Sequence, residues 1–481
     1  MTTWIKKIDD VHLYVHSEPS VLKELSTYFT FEVPGAKFMP TVRNRMWDGK
    51  IRLFSLRNNT IYVGLLPYIE EFLNNNQIEY TLDDNVKTNS KVTEENVIGF
   101  INSLKIPFEY RDYQLQCIMD ALAKQRGLFV SPTASGKSYI IYVLCRFYRL
   151  MDKRILIIVP TTSLVEQMAS DFVDYGWSAK QIHKIYSGHD RETHKPVVIS
   201  TWQSLYKLPK KFFKDYGVVI GDEAHLFKAK SLTNIMEKLT DCPYRFGFTG
   251  TLDGTQTNRL VLEGLFGKAE KVITTKELID SNTLAKLNVV CLLLKHKEEE
   301  AKSIKDSNYA EEIQYLISNT RRNKFLFNLC DTLKGNTLLL YQMVEKHGMV
   351  LYKLCQKLDR DLHFVYGGVD AEKREEVRRL TEKSNNSLII ASYGTFSTGI
   401  NIKNINNVIF ASPSKSRIRV LQSIGRGLRK SETKNDVTLY DISDDLSYKN
   451  KKNFTLKHFE ERINIYNEEE FDYRIDKVNL W

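Results

Sequence analysis

GLFVSPTASGKSYIIYVLCRFYRL, residues 127–150, joins an apolar strand-like run to a long helix-like run through a loop of small residues. A strand, a tight small-residue turn and a helix start set backbone N–H groups and the positive end of a helix dipole around one point, which is how a phosphate is held. In that geometry Thr133, Ala134, Ser135 and Gly136 form the cradle, Lys137 reaches the β- and γ-phosphates of a nucleotide, and the Ser138 hydroxyl holds Mg2+. Ser131 stands where the pattern G-x-x-x-x-G-K-[ST] has its first glycine. A plain tight turn with a solvated lysine is therefore the competing reading of the loop taken alone.

Outward from this loop the chain alternates apolar strand-like runs with helical segments. GLFV (127–130) is followed by RILIIVP (154–160), PVVIS (196–200), YGVVIGDE (216–223) and YRFGFTGT (244–251), and a second series runs NTLLLY (336–341), LHFVYG (362–367), SLIIAS (387–392), NVIFAS (407–412) and DVTLYD (436–441). Strands alternating with helices predict parallel sheets with buried strands, here two α/β layers in tandem. At the end of the fourth run stand Asp222, Glu223, Ala224 and His225. A strand-terminal Asp can hold Mg2+ beside Ser138, and the adjacent Glu can polarise an attacking water; a solvated acidic turn is the alternative. In the second series QSIGRGLR spaces Gln422, Arg426 and Arg429 at i, i+4 and i+7, one face of a helix. Such a face can meet a triphosphate held by the other layer, unless it is a basic amphipathic face packed by its stems.

The remaining composition sets limits. The 481 residues are 42% hydrophobic and 27% charged with a net charge of +10, which is ordinary for a globular protein, excludes a disordered chain and allows a polyanionic partner. No long uncharged apolar stretch is present, and MTTWIKKIDDVHLYV lacks the apolar centre of a secretion signal, so no membrane association is expected and the chain is expected to stay in the cytoplasm where it is made. The six cysteines are scattered without metal spacing and read as reduced, mostly buried thiols. Residues 1–95 read as a small α/β domain with the amphipathic segment SVLKELSTYF, and the polar stretch 83–96 as a linker. The expected divisions are 1–95, 105–275, 285–450 and a helical tail over 451–481. In the first of these, Arg43, Arg45, Lys50 and Arg52 surround Trp47, a basic patch that suits DNA unless it is only a solvated hairpin face.

These residues resemble superfamily 2 helicases of the DEAH-box type. The resemblance covers roughly residues 110–445: SPTASGKS as the phosphate motif, DEAH, Thr249-Gly250-Thr251, ASYGTFSTGIN and QSIGRGLR, in family order. It implies two tandem RecA-like parallel-sheet domains of the P-loop NTPase class preceded by a small α/β N-terminal domain, with ATP and Mg2+ as cofactors. It further implies that Gln114 of RDYQ recognises adenine with Arg111 nearby, and that Gly399 belongs to the nucleotide site. By the same resemblance Thr161, Thr162, Thr201, Trp202, Gln203 and Thr395 contact a nucleic-acid backbone, Trp202 being alternatively a core aromatic. Asn401 stands where many relatives place Asp. A narrower resemblance, to phage recombination helicases, rests on RMWDGKIRLF, ILIIVPTTSLVEQMASDFVDYG, ASYGTFSTGI and FDYRIDKVNL. It implies an ATP-driven monomer that unwinds or branch-migrates forked DNA, Holliday junctions and R-loops, acting in recombination, repair and replication on DNA with single-stranded segments and on RNA–DNA hybrids. An RNA-directed remodeller and a non-enzymatic junction-binding scaffold are the competing classes.

Overall fold

Strands buried on both faces can satisfy their backbone groups only through neighbouring strands, and the apolar runs named above do so. A computed structural model of the protein describes residues 2–86, 92–186, 190–252, 255–395, 402–412, 416–429 and 434–481. The chain divides into two compact units, Met1–Ser131 with Gly136–Val272, and Pro132–Ser135 with Ile273–Trp481.

Among the described residues of the first unit, seven parallel strands lie in the order Ala269–Lys271, Arg126–Val130, Tyr244–Thr249, Tyr216–Asp222, Arg154–Val159, Val197–Thr201 and Ile182–Ile185. Side chains alternate across the sheet as strand geometry requires. Phe129, Ile155, Ile157 and Ile220 pack beneath helices Asp112–Lys124, Lys137–Leu150 and Thr162–Asp174, while Leu128, Leu156, Ile158 and Val219 face helices Lys230–Lys238 and Gln256–Phe266.

The second unit repeats the plan, with parallel strands in the order Asp361–Val365, Ser387–Ser392, Thr337–Tyr341, Asn407–Phe410, Asp436–Asp445, Lys286–Lys295 and Tyr473–Asn479. The fold is two RecA-like α/β layers, and each strand segment named from the two sequence series is a strand. The C-terminal segment differs from a purely helical tail: helix Phe454–Glu468 is followed by the strand Tyr473–Asn479 at the sheet edge. The helix is anchored by a buried ion pair, Arg462 Nε and Nη2 donating to the two Asp441 carboxylate oxygens at 2.8 Å, with the Tyr466 hydroxyl donating to the same carboxylate at 2.9 Å. All six cysteines are buried and free. No helix among the described residues is long and apolar enough to cross a membrane.

Residues near the N-terminus form a four-stranded sheet, in the order Thr60–Tyr62, His12–His16, Thr3–Lys7, Tyr80–Leu82, with helices Pro19–Tyr28 and Leu66–Asn75 and a ribbon of Thr30–Glu32 paired to Lys50–Arg52. The end of the stretch read as a linker is helical: Glu94–Ser103 buries Val97 and Ile101 on the first large sheet's core. The small domain does not close its core alone. Leu260, from the helix Gln256–Phe266, is buried among its Leu65, Ile69 and Phe72. The Tyr62 hydroxyl donates to Glu237 at 2.6 Å, the Tyr68 hydroxyl to the buried Glu263 at 2.7 Å, and Arg126 Nη2 to the Asp10 carbonyl at 2.9 Å.

At the centre of this junction a Cβ on Gly64 would stand 1.9 Å from the Glu263 carbonyl oxygen, whereas one on Gly99 would meet nothing within 4 Å. Gly64→Ala is expected to cost about 3 kcal/mol, because extra atoms are forced into filled space, while the helical Gly99→Ala gains up to about 1 kcal/mol from helix propensity. Thermal unfolding of the two variants checks this; equal melting temperatures would show that the small domain is not packed on the helix Gln256–Phe266 at Gly64.

Candidate active site and nucleic-acid interface

In a parallel sheet all strands stop at the same edge, and strand order decides which loops meet there. The neighbours Arg126–Val130, Tyr244–Thr249 and Tyr216–Asp222 bring SPTASGKS, TGT and DEAH together. The Ser131 amide donates to the Thr249 carbonyl at 2.8 Å. His225 Nδ1 lies 3.0 Å from the Thr249 hydroxyl, which donates to the Thr251 carbonyl at 2.9 Å. The histidine of DEAH and the hydroxyl of TGT therefore form one hydrogen-bonded unit, a link that motif spacing does not disclose.

The phosphate-type loop is shaped from within and from one neighbour. Ala134 and Gly136 adopt left-handed backbone, at φ 67° and 81°, and Ser135 Oγ donates to the Pro132 carbonyl at 2.7 Å. Ser131 is buried and is not among the residues of positive φ, so the conformation that makes glycine necessary is not required at that position. Gly136 has a second reason to lack a side chain: a Cβ there would stand 2.3 Å from Gln114 Nε2. Gln114 is buried and accepts the Arg111 amide at 2.9 Å, so its side chain runs from the start of its own helix to the loop. Arg111 Nη1 donates to the Tyr113 hydroxyl at 2.8 Å. Lys137 opens the helix and its Nζ donates to the Ser131 carbonyl at 3.1 Å. Ser138 Oγ lies 3.0 Å from the hydroxyl of Tyr175, a neighbour the motif did not reveal.

The acidic pair stands at the strand end, with the backbone turning sharply between its two members. Asp222 terminates the strand, and Glu223 is left-handed at φ 53°, a rare state for a residue with a side chain. The Glu223 amide donates to Asp222 Oδ1 at 3.0 Å, and its Oε2 lies 3.3 Å from His225 Nδ1. Burial pushes the Asp222 carboxyl up to about 6, the Glu223 charge pushes in the same direction, and the Lys137 ammonium opposes both. A buried carboxyl held toward its neutral form is a donor that a hard divalent cation suits, since the cation's charge favours the carboxylate.

The strands Arg154–Val159 and Val197–Thr201 are also neighbours, so the loops that follow them meet. Thr161 caps the helix Thr162–Asp174, accepting the Leu164 amide at 3.4 Å, and Thr162 is exposed. Gln203 is exposed and reaches the Pro160 carbonyl at 3.3 Å, joining the two loops. Thr201 is buried with its hydroxyl 3.1 Å from Ser204 Oγ, and Trp202 packs partly against the core and Tyr206. The exposed polar surface here thus comes from Thr162 and Gln203 more than from Thr201 or Trp202.

In the second unit Thr395 is buried, its hydroxyl 2.8 Å from Ser392 Oγ. Gly399 and Asn401 lie outside the described residues. Gln422 and Arg426 share the helix Arg417–Gly427, capped by Ser416, but the helix ends two residues before Arg429. Glycines at 425 and 427 weaken its last turn, and the buried Lys434 Nζ donates to the Gly427 and Arg429 carbonyls and, at 3.2 Å, to that of Lys403. Arg429 therefore sits on a segment held by Lys434 and not on a continued helical face.

Around Trp47 the basic residues differ in their surroundings. Arg52 pairs with Asp48, Lys50 lies 3.9 Å from Glu32, and Trp47 Nε1 donates to the Lys50 carbonyl at 3.0 Å. Arg43 and Arg45 are exposed, Arg45 at φ 56°.

Residues 5–83 match the family described as DNA helicase UvsW, N-terminal; residues 107–254 match that of the type III restriction enzyme res subunit, and residues 321–431 the helicase conserved C-terminal domain. The ATP-dependent DNA helicase UvsW of Enterobacteria phage T4 is 34% identical over 98% of both chains. A DNA 3'-5' translocase of Sulfurisphaera tokodaii, XPB2, is 29% identical over 33% of this chain and 35% of its own. The crystal structure of T4 UvsW aligns over the whole of both chains with a TM-score of 0.54 and 32% identity. Near-complete coverage at that identity, with matches in all three regions, decides the classification: the chain belongs to the UvsW family of superfamily 2 ATP-dependent DNA helicases.

Proposed function

We propose that this helicase hydrolyses Mg2+-bound ATP at the carboxyl edge of its first sheet and uses the cycle to unwind and branch-migrate forked DNA, four-way junctions and R-loops, with its N-terminal domain as the branch-recognising platform. The observation that carries the branched-DNA reading is that domain's seat. Exposed Arg43 and Arg45 belong to a body whose core is completed by Leu260 of the ATPase layer, so DNA held there is held at a fixed place relative to the motor sheet. Phosphate contacts of this kind position a duplex without reading its sequence.

In the ATPase, Thr133 to Gly136 cradle phosphates through their backbone, Gln114 and Arg111 border the base, and Lys137 neutralises the terminal phosphates. Asp222 and Ser138 are the oxygen donors for Mg2+, which when bound supplies charge neutralisation at the phosphates. Glu223, turned away from the strand by its left-handed backbone, takes the proton of the attacking water. The family resemblance assigns Arg426 and Arg429 the positive charge that stabilises the transition state, Gln422 an uncharged polar role beside them, and Gly399 to nucleotide binding. The family resemblance assigns Thr161, Thr162, Thr201, Trp202 and Gln203 of the first unit and Thr395 of the second to nucleic-acid binding, with the exposed Thr162 and Gln203 as the direct backbone contacts.

Lys137→Ala is expected to abolish ATP turnover. Glu223→Gln should keep nucleotide binding and lower kcat at least about 100-fold, the range for loss of a general base, and turnover at the parental rate would remove Glu223 from that role. Arg429→Ala should lower kcat by about 1,000-fold while nucleotide affinity is retained; lost binding with intact turnover of the residual complex would contradict a transition-state role. ATP-dependent processing of labelled fork, four-way junction, R-loop, blunt duplex and all-RNA fork tests the substrate. Preferential opening of the branched DNAs is expected, and processing of the RNA fork alone would transfer the chain to RNA work. Arg43→Glu with Arg45→Glu should weaken junction binding and reduce its salt dependence; an unchanged affinity and salt slope would exclude these residues from the platform.

A further inference from the structure

The platform carries more than charge. Between the paired strands Thr30–Glu32 and Lys50–Arg52 the chain runs out through residues 33–49 and back, and three large apolar side chains on this excursion face solvent. Phe38 is 74% exposed, Met46 76% and Met39 38%. Globular surfaces scatter single apolar residues, but three within nine positions on one protrusion need an explanation.

The protrusion is built to hold them. The Val33 amide donates to the Gly49 carbonyl at 2.9 Å, the Met46 and Trp47 amides both donate to the Thr41 carbonyl, and the Phe38 amide to that of Gly35. Gly35, Arg45 and Gly49 supply left-handed turns, and a Cβ on Gly49 would stand 2.8 Å from the Ala36 side chain, so the loop is closed against itself. Lys37 Nζ lies 5.1 Å from the centre of the Phe38 ring. Over residues 33–49 the charged side chains are Lys37, Arg43, Arg45 and Asp48, and the Asp48 carboxylate is paired with Arg52, so the excursion carries a basic surplus. An excursion that combines exposed apolar side chains with a surplus of cations complements a surface that is apolar at its centre and anionic at its rim. The face of a base pair flanked by its two phosphodiester strands is such a surface, and it is exposed where a duplex arm ends at a branch. Proteins that part stacked bases do so with Phe and Met side chains of this kind.

We infer that Phe38 and Met46, with Met39 as a shoulder, form a wedge that stacks on or parts the base pair at the DNA branch point. The inference rests on the branched-substrate reading above and adds that the branch is recognised by its unstacked bases as well as its phosphates.

The test uses the full chain and a four-way junction with 2-aminopurine beside the branch, against the same label in mid-arm. The parent protein should brighten the branch label and leave the mid-arm label unchanged. Phe38→Ser with Met46→Ser should lose the brightening and about tenfold of the preference for junction over linear duplex, the scale of one lost stacking contact. Phe38→Leu with Met46→Leu should retain both. An unchanged melting temperature of the serine variant shows that the fold is intact. A serine variant that brightens the branch as the parent does, or a parent that brightens neither label, overturns the wedge and leaves the branched-substrate reading standing, with the tip assigned to a protein partner. A parent with no preference for junction over duplex overturns both.

Discussion

A parallel sheet has one edge at which every strand stops, and in this helicase that edge places an ammonium, two carboxylates and a hydroxyl in the loops of three neighbouring strands. Val130, Thr249 and Asp222 end those strands, and the amide of Ser131, the first loop residue, on the Thr249 carbonyl fastens two of the loops directly. Nothing in the three motifs themselves requires them to meet. Their meeting follows from the buried Val, Ile, Leu and Phe side chains that fix the strand order and from the absence of any other partner for the backbone between two layers of helices. The tension at the site has the same origin. Asp222 is buried with Glu223 beside it and is drawn toward its neutral form, while Lys137 resists. A site so composed is poised for a ligand that brings both negative phosphates and a positive ion.

The second consequence of packing lies at the N-terminus. A small domain whose core borrows Leu260 from its neighbour, and whose Tyr62 and Tyr68 hydroxyls close on Glu237 and the buried Glu263, is continuous with the ATPase layer. A surface carried on that domain is packed on the same unit as the sheet edge proposed for nucleotide chemistry. The His225–Thr249–Thr251 chain offers a route from that edge toward the rest of the layer. His225, within reach of both Glu223 Oε2 and the Thr249 hydroxyl, links the acidic pair to the loop that follows the next strand.

Much of this was legible from the residues, and what was not has physical causes. Strands such as Arg154–Val159 and Ser387–Ser392 are buried on both faces and so read as unbroken apolar runs. Ile182–Ile185 and Tyr473–Asn479 lie at sheet edges with half their side chains outward; their mixed composition hides them, and the second was read as part of a helical tail. The loop's Ser131 looked like a defect until its backbone proved ordinary. Helical spacing grouped Arg429 with Gln422 and Arg426, yet helix spacing holds only while the helix lasts, and Gly425, Gly427 and Lys434 end it first. The contributions of Tyr175 and Thr249 are contacts between residues distant in sequence, for which one chain carries no local signal, and the Lys434 contacts depend on a turn of the chain that no spacing rule describes.

The account stands on Asp222 being a cation donor within a nucleotide site and not merely a buried strand-end acid. Titration of ATP into the protein with and without Mg2+, for the parent and for Asp222→Asn, examines that directly. Mg2+ should tighten ATP binding to the parent and leave the affinity of the asparagine variant nearly unchanged. Equal Mg2+ dependence in the two proteins would contradict it.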